Sequence, residues 1–187
     1  MKRLFIAIPL VAGSELMQLL QKLQSGLRHD RIKWVNPSQI HLTLKFLGET
    51  PDKDIPLIIK AMDETATGRP SFQLTFDKAG IFGSRYAPRV IWIGQQQSNE
   101  YVLSLGNDVL EAMHKLGFER DSQNFVPHLT LGRIQELRDK HAFQQLMNNL
   151  QPGPYLQCIV QEFKLYESKL RPQGPIHTPL HTTFLRS

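Results

Sequence analysis

His41-Leu42-Thr43-Leu44 and His128-Leu129-Thr130-Leu131 are the same four residues, set 128 − 41 = 87 positions apart in a chain of 187. That spacing is close to half the chain, and it constrains the fold more than any other feature: it predicts two similar halves, each built around one copy. In an extended strand successive side chains point to opposite faces, so each His shares a face with its Thr while the two leucines point the other way. Each copy is an imidazole and a hydroxyl on an apolar backing. Two lobes brought face to face would present two His and two Thr to one ligand, an arrangement suited to phosphoryl chemistry.

The surrounding pattern is consistent with such halves. Residues 3–8 read as a strand, followed by Leu16, Leu19, Leu20, Leu23 and Leu27 at helical spacing behind a Ser14 cap. Strands are expected at 32–35 and 40–47. A helix starts at Thr50-Pro51 and buries Ile55, Ile58, Ile59 and Met62, with Pro56 disturbing its second turn. Strands at 72–76 and 89–93 are joined through Gly80, Gly83 and Pro88. Val102, Leu105, Val109, Met113 and Leu116 mark a third helix stopped by Gly117, and Phe143, Leu146, Met147 and Leu150 a fourth. Strands at 128–131, 159–166 and 181–185 complete an α+β order with no linker or low-complexity segment. The expectation is one domain over 1–187, made of two packed lobes.

Seven His and nine Thr in 187 residues would give about 0.3 H-x-T triplets by chance, so a single one says little. His181-Thr182-Thr183-Phe184 also fits and reads as a decoy at the end of the chain. Two identical tetrads with matching surroundings are a different matter. Opening a phosphodiester in line needs a proton removed from the attacking oxygen and one delivered to the departing oxygen, on opposite sides of phosphorus. Imidazole can hold either protonation state near neutral pH. His41 and His128 are therefore the candidate acid and base, and Thr43 and Thr130 the candidate donors to the non-bridging oxygens. Lys45 shares the parity of His41 and would point its ammonium into the same groove if the strand stays regular. Arg133 has the opposite parity, and a kink at Gly132 would turn its guanidinium inward as a phosphate clamp. No H-x-H or H-E-x-x-H accompanies the tetrads, so no metal and no cofactor is expected. Among other histidines, His29, His114 and His141 read as helix surface, while His177 and His181 show no pattern. Trp34, Phe82, Tyr86 and Trp92 read as core aromatics rather than base-stacking platforms.

Composition narrows the partners. A net charge of +5 and a pI near 9.4 favour an anionic partner, nucleotide or nucleic acid. The single Cys158 excludes an intrachain disulfide and fits a reducing compartment. The basic start followed by an apolar run looks superficially like a secretory signal, but Phe5, Ile6 and Ile8 are strand formers, Pro9 ends the run and an amphipathic helix follows at once. The location expected is cytoplasmic, with no membrane association.

These residues resemble the 2H phosphoesterases, named for two H-x-T-x motifs, and within them the RNA 2′,3′-cyclic phosphodiesterases first described as bacterial 2′-5′ RNA ligases. The likeness runs from Arg3-Leu4-Phe5-Ile6-Ala7-Ile8 through residues 40–49, 89–94 and 127–133 to Phe163-Lys164-Leu165-Tyr166-Glu167-Ser168. It implies a bilobal fold with both tetrads lining a central cleft, and metal-independent hydrolysis of a 2′,3′-cyclic phosphate to a 2′-phosphate. By the same resemblance His41 is the general acid and His128 the base that activates water. Joining RNA ends through a 2′-5′ linkage would need only a 5′ hydroxyl in place of water. Such relatives often have Ala where Gly132 stands, which implies a looser backbone before Arg133, and Tyr about where His177 lies. The partners implied are RNA ends or nucleotides bearing a 2′,3′-cyclic phosphate, with no obligate protein partner and a monomeric chain. Two other readings are an enzyme for a small nucleotide such as ADP-ribose cyclic phosphate, and a non-catalytic RNA-binding module whose basic groove merely holds phosphates.

Overall fold

The computed structural model describes residues 1–121, 124–172 and 174–186. Among the described residues fourteen strands and α-helices run in the order β1 (Lys2–Pro9), α1 (Ser14–Gly26), β2 (Arg31–Trp34), β3 (His41–Thr50), α2 (Ile55–Ala66), β4 (Phe72–Phe76), β5 (Lys78–Ser84), β6 (Ala87–Gly94), α3 (Glu100–Lys115), β7 (His128–Glu136), α4 (Lys140–Asn148), β8 (Leu156–Val160), β9 (Glu162–Lys169) and β10 (Ile176–Phe184). The four expected helices are present, although α2 starts at Ile55 rather than at Thr50-Pro51, and Leu116 and Leu150 of the expected stripes fall just beyond α3 and α4; Leu16, Leu19, Leu20 and Leu23 are buried in α1, and Val102, Leu105, Val109 and Met113 in α3. Among the described residues no helix is long and apolar enough to cross a membrane.

The strands form two antiparallel four-stranded sheets and a small pair. The first lobe is built on β10-β9-β1-β3 and the second on β2-β7-β6-β5, with β4 and β8 paired separately. The chain thus weaves between lobes: the first sheet takes its strands from both ends of the sequence, and the second from the middle plus β2. α2 packs on β10 and α3 on β3, while α1 and α4 pack on each other. One cluster of buried side chains, including Ile6, Leu42 and Phe163 with Ile91, Leu129 and Leu131, runs through both lobes.

Some local expectations are corrected. Pro56 lies in the first turn of α2, where its missing N–H costs no helical bond, so the helix is undisturbed. Ser14 is the first helical residue; Gly13 occupies the cap, and the Ser14 hydroxyl donates to Glu15 instead. The connection through Gly80 and Gly83 is itself a strand, β5, forming a hairpin with β6. The segment expected as one strand at 159–166 divides at Gln161 into β8 and β9, which belong to different sheets.

The decisive departure from regular strands is shared by both tetrads. In the β1–β3 pair, Ala7 lies opposite Thr43 but Ile6 lies opposite Lys45, so Leu44 is an extra residue. In the β6–β7 pair, Trp92 lies opposite Thr130 but Ile91 lies opposite Gly132, so Leu131 is the extra residue. The same bulge falls on the last leucine of each HLTL and reverses side-chain parity beyond it. Burial follows suit: from the His onward both strands show the same pattern through nine residues, with Leu42, Leu44 and Lys45 buried in one and Leu129, Leu131 and Gly132 in the other.

Candidate active site

Each catalytic candidate opens its strand, at the point where the chain enters the sheet. The His41 Nδ1–H donates to the carbonyl of Gln39 at 2.7 Å, and the His128 Nδ1–H donates to the carbonyl of Val126 at 2.8 Å. In both cases the acceptor is two residues upstream, so the two lobes use the same device to fix tautomer and leave Nε2 for a ligand. His41, Thr43, His128, Thr130 and Arg133 all line one cleft of about 990 Å³. The two tetrads therefore share a pocket, as paired acid–base chemistry requires.

Burial pushes both imidazoles below the ordinary histidine range. The Nδ1 hydrogen bonds act in the opposite direction at each ring, and at His128 the Arg133 guanidinium adds to the lowering. Aromatic rings hold the imidazoles from behind. Phe82 meets His128 edge to face at 4.7 Å between centroids, while His41 lies 5.0 Å from Phe5 and 5.1 Å from His177.

The bulge decides where the two basic candidates go. Arg133, expected on the wrong face unless Gly132 kinked, is turned to the cleft by the bulge one residue earlier. Gly132 is not a loose point: a Cβ there would come within 2.8 Å of Ile32 and 2.9 Å of Trp34, so its hydrogen lets those side chains pack. Lys45 is the reverse case. It pairs with Ile6, whose side chain is fully buried, rather than sharing the His41 face. It borders the cleft, but its ammonium donates to the Glu119 carbonyl at 2.8 Å and the Asp121 carboxylate at 2.5 Å, with the side chain 5% exposed. Lys45 thus ties the loop before β7 to the first lobe. The residue that takes the cleft face in its place is Phe46, the positional equivalent of Arg133, 60% exposed.

His177 joins the site although no sequence pattern marked it. It reaches the cleft because β10 pairs with β9, placing it opposite Ser168, and its ring packs edge-on against Phe5. Burial, and secondarily the neighbouring His41, lower its pKa to about 4. His181 lies elsewhere: its Nε2–H and the Thr183 hydroxyl both donate to Asp63 on α2, which explains the third H-x-T triplet as a staple of β10 to that helix. Phe82 and Trp92 are not core residues; both are part-exposed, and the register of β5 and β6 puts them on the His128 side of the second sheet. Among the described residues no three His, Cys, Asp or Glu side chains are grouped as a metal site would need.

The LigT-like phosphoesterase family model matches the chain twice in succession, over residues 8–92 and 93–177. The chain is 32% identical over 184 residues to a Thermotoga maritima protein named RNA 2′,3′-cyclic phosphodiesterase, covering 96% of this chain and 93% of the relative. It is 34% identical over 179 residues to the protein of that name from Archaeoglobus fulgidus, covering 95% and 97%. In three dimensions it is similar to the crystal structure of Escherichia coli LigT complexed with 3′-AMP, with a TM-score of 0.78 and 26% identity over 100% of this chain and 99% of the other.

Proposed function

The chain belongs to the LigT-like phosphoesterase family, and we propose from that footing that it hydrolyses 2′,3′-cyclic phosphates at RNA ends, leaving a 2′-phosphate. The observation that carries this reading is the matched pair of imidazoles, each anchored through Nδ1 to the carbonyl two residues upstream, in one cleft with two threonines and an arginine. Water attacks phosphorus as His128 takes its proton, the P–O3′ bond breaks, and His41 delivers a proton to O3′. Thr43, Thr130 and Arg133 stabilise the charge on the non-bridging oxygens. Arg133 disfavours protonated His128, which suits that ring to the role of base. A 5′ hydroxyl in place of water would form the 2′-5′ linkage by the same proton transfers. Lys45 serves by holding the loop before β7 rather than by touching phosphate. The protein acts as a cytoplasmic monomer, without a metal.

The test is a product assay on cyclic-phosphate mononucleotides and oligonucleotides with a chelator present. Turnover to a 2′-phosphate is expected, and His41→Ala or His128→Ala should lower it roughly 10²- to 10⁴-fold. Thr43→Val or Thr130→Val should cost about 2.7–4 kcal/mol of transition-state stabilisation. Full activity in both histidine variants, or none in the wild type without added metal, would reject the reading.

A further inference from the structure

The cleft face of the second sheet continues beyond the catalytic residues, and strand register sorts it into rows. Residues opposite each other in an antiparallel ladder project to the same side. His128 lies opposite Gly94 and Thr130 opposite Trp92. The extra residue of the bulge sits on β7, so β6 alternates regularly and Val90 follows Trp92 on this side. Val90 lies opposite Arg133 on one flank and Phe82 on the other, and Arg133 lies opposite Lys33 on β2. A row Phe82–Val90–Arg133–Lys33 therefore crosses all four strands, sharing Arg133 with the cleft.

Two features of this row call for a ligand. Lys33 and Arg133 are like charges directly opposite each other, an arrangement that destabilises a sheet by itself; both are exposed, and neither is paired with a carboxylate among the described residues. An anion across them would reverse the sign. Beside them, Phe82 and Trp92 form an aromatic floor, 5.2 Å between centroids, with Trp92 lying so close over Gly80 that a Cβ there would come within 2.3 Å of the indole. The corresponding row of the first lobe is Tyr166–Phe5–Phe46, which is aromatic but has no cation.

The geometry points to a single-stranded RNA platform on the second lobe: with the cyclic phosphate on Arg133, the phosphate of the nucleotide just upstream lies on Lys33 opposite it, and a base packs against the exposed part of Phe82. Cations beside part-exposed aromatic rings suit unpaired RNA, since every base offers a π-face and every linkage a charge. The orientation, though not the surface, rests on the reaction proposed above.

Binding of a fluorescent tetra-adenylate ending in a phosphate, followed by anisotropy across a salt series, tests this without turnover. Lys33→Gln should weaken binding about fivefold at about 0.1 M salt and flatten the slope of log K against log salt by about 0.7, the contribution of one phosphate contact on a single strand. Phe82→Leu should weaken it at least about fivefold, the lower end of what a lost base–aromatic stack costs, with the slope unchanged. Lys60→Gln, an exposed lysine on α2, should alter neither. No binding by the wild type, wild-type affinity and slope in Lys33→Gln, or an equal loss in Lys60→Gln would overturn the platform. Absence of wild-type turnover on a cyclic mononucleotide would instead count against the proposed reaction alone.

Discussion

Gly106→Ala in the middle of α3 is a substitution on which two rules disagree. In an ordinary helix interior Ala is favoured over Gly by about 1 kcal/mol. Here a Cβ would meet three atoms of the Phe125 ring at 2.2, 2.4 and 2.8 Å, where ordinary contact begins at 3.4 Å. The ring must retreat by more than an ångström or remain strained, and overpacking of this kind costs about 1–3 kcal/mol. The second effect wins, for a net loss of about 0–2 kcal/mol. The functional loss should be larger than the stability loss. Phe125 lines the cleft and is followed by Val126, whose carbonyl fixes the His128 ring; a misplacement near 1 Å at a catalytic group costs up to about 10²-fold.

The assay is denaturant unfolding alongside initial rates on a cyclic-phosphate substrate, with Gly117→Ala as the comparison. Gly117 begins the same loop at φ +94°, and a Cβ there would touch nothing within 4 Å. That variant should lose about 1 kcal/mol to backbone strain and keep its activity. Gly106→Ala should lose about 10- to 100-fold in kcat. A Gly106→Ala protein about 1 kcal/mol more stable than wild type and fully active would refute the reasoning, because it would mean that Phe125 does not hold the loop.

Three further predictions concern pH. Burial lowers both candidate imidazoles, so the bell of kcat/KM for the free enzyme should be centred below about 6.5; a bell centred above neutrality would contradict the site. With His128 as the proposed base, the acid-side limb is its loss of a proton, so Arg133→Met, which removes a cation disfavouring the protonated ring, should move that limb to higher pH and leave the alkaline limb in place. At the staple on α2, burial raises the Asp63 carboxyl but the bonds from His181 and Thr183 more than reverse this, leaving it lowered. Its contribution to stability is thus present above the unfolded carboxylate pKa and lost as pH falls through the folded one. Asp63→Asn should be less stable by under about 1 kcal/mol at neutral pH, since Asp63 is half exposed, with the difference closing in acid when unfolding is followed against pH.

What periodicity could reveal was a matter of which residues face a core. α1 and α3 were legible because their leucines, valines and methionine recur at helical spacing on one buried side. β5 was not, because Gly80 and Gly83 interrupt its pattern, and Gly80 is glycine for a reason that lies on another strand, the Trp92 ring above it. The division at Gln161 left no signal either, since β8 and β9 differ only in which sheet they join. His177 could be singled out only through the resemblance, as the position where relatives often have Tyr, because pairing to β9, far from either tetrad in sequence, is what carries it to His41.

The swapped fates of Lys45 and Arg133 have a single cause. A parity argument assumes an unbroken pleat, and one extra residue inverts every face beyond it. Reading either strand alone gives no reason to doubt the pleat. Reading the two together does, because the duplicated bulge repeats the backbone while the side chains placed by it differ: the fifth position after each His is Phe46 in one lobe and Arg133 in the other, and the fourth is Lys45 or Gly132. Lys45 reaches across to hold the loop that bears His128, whereas Gly132 makes room for Trp34 and Ile32. The frame is twofold, but the position five residues after the His is aromatic in one lobe and cationic in the other, so two identical tetrads sit in unlike surroundings.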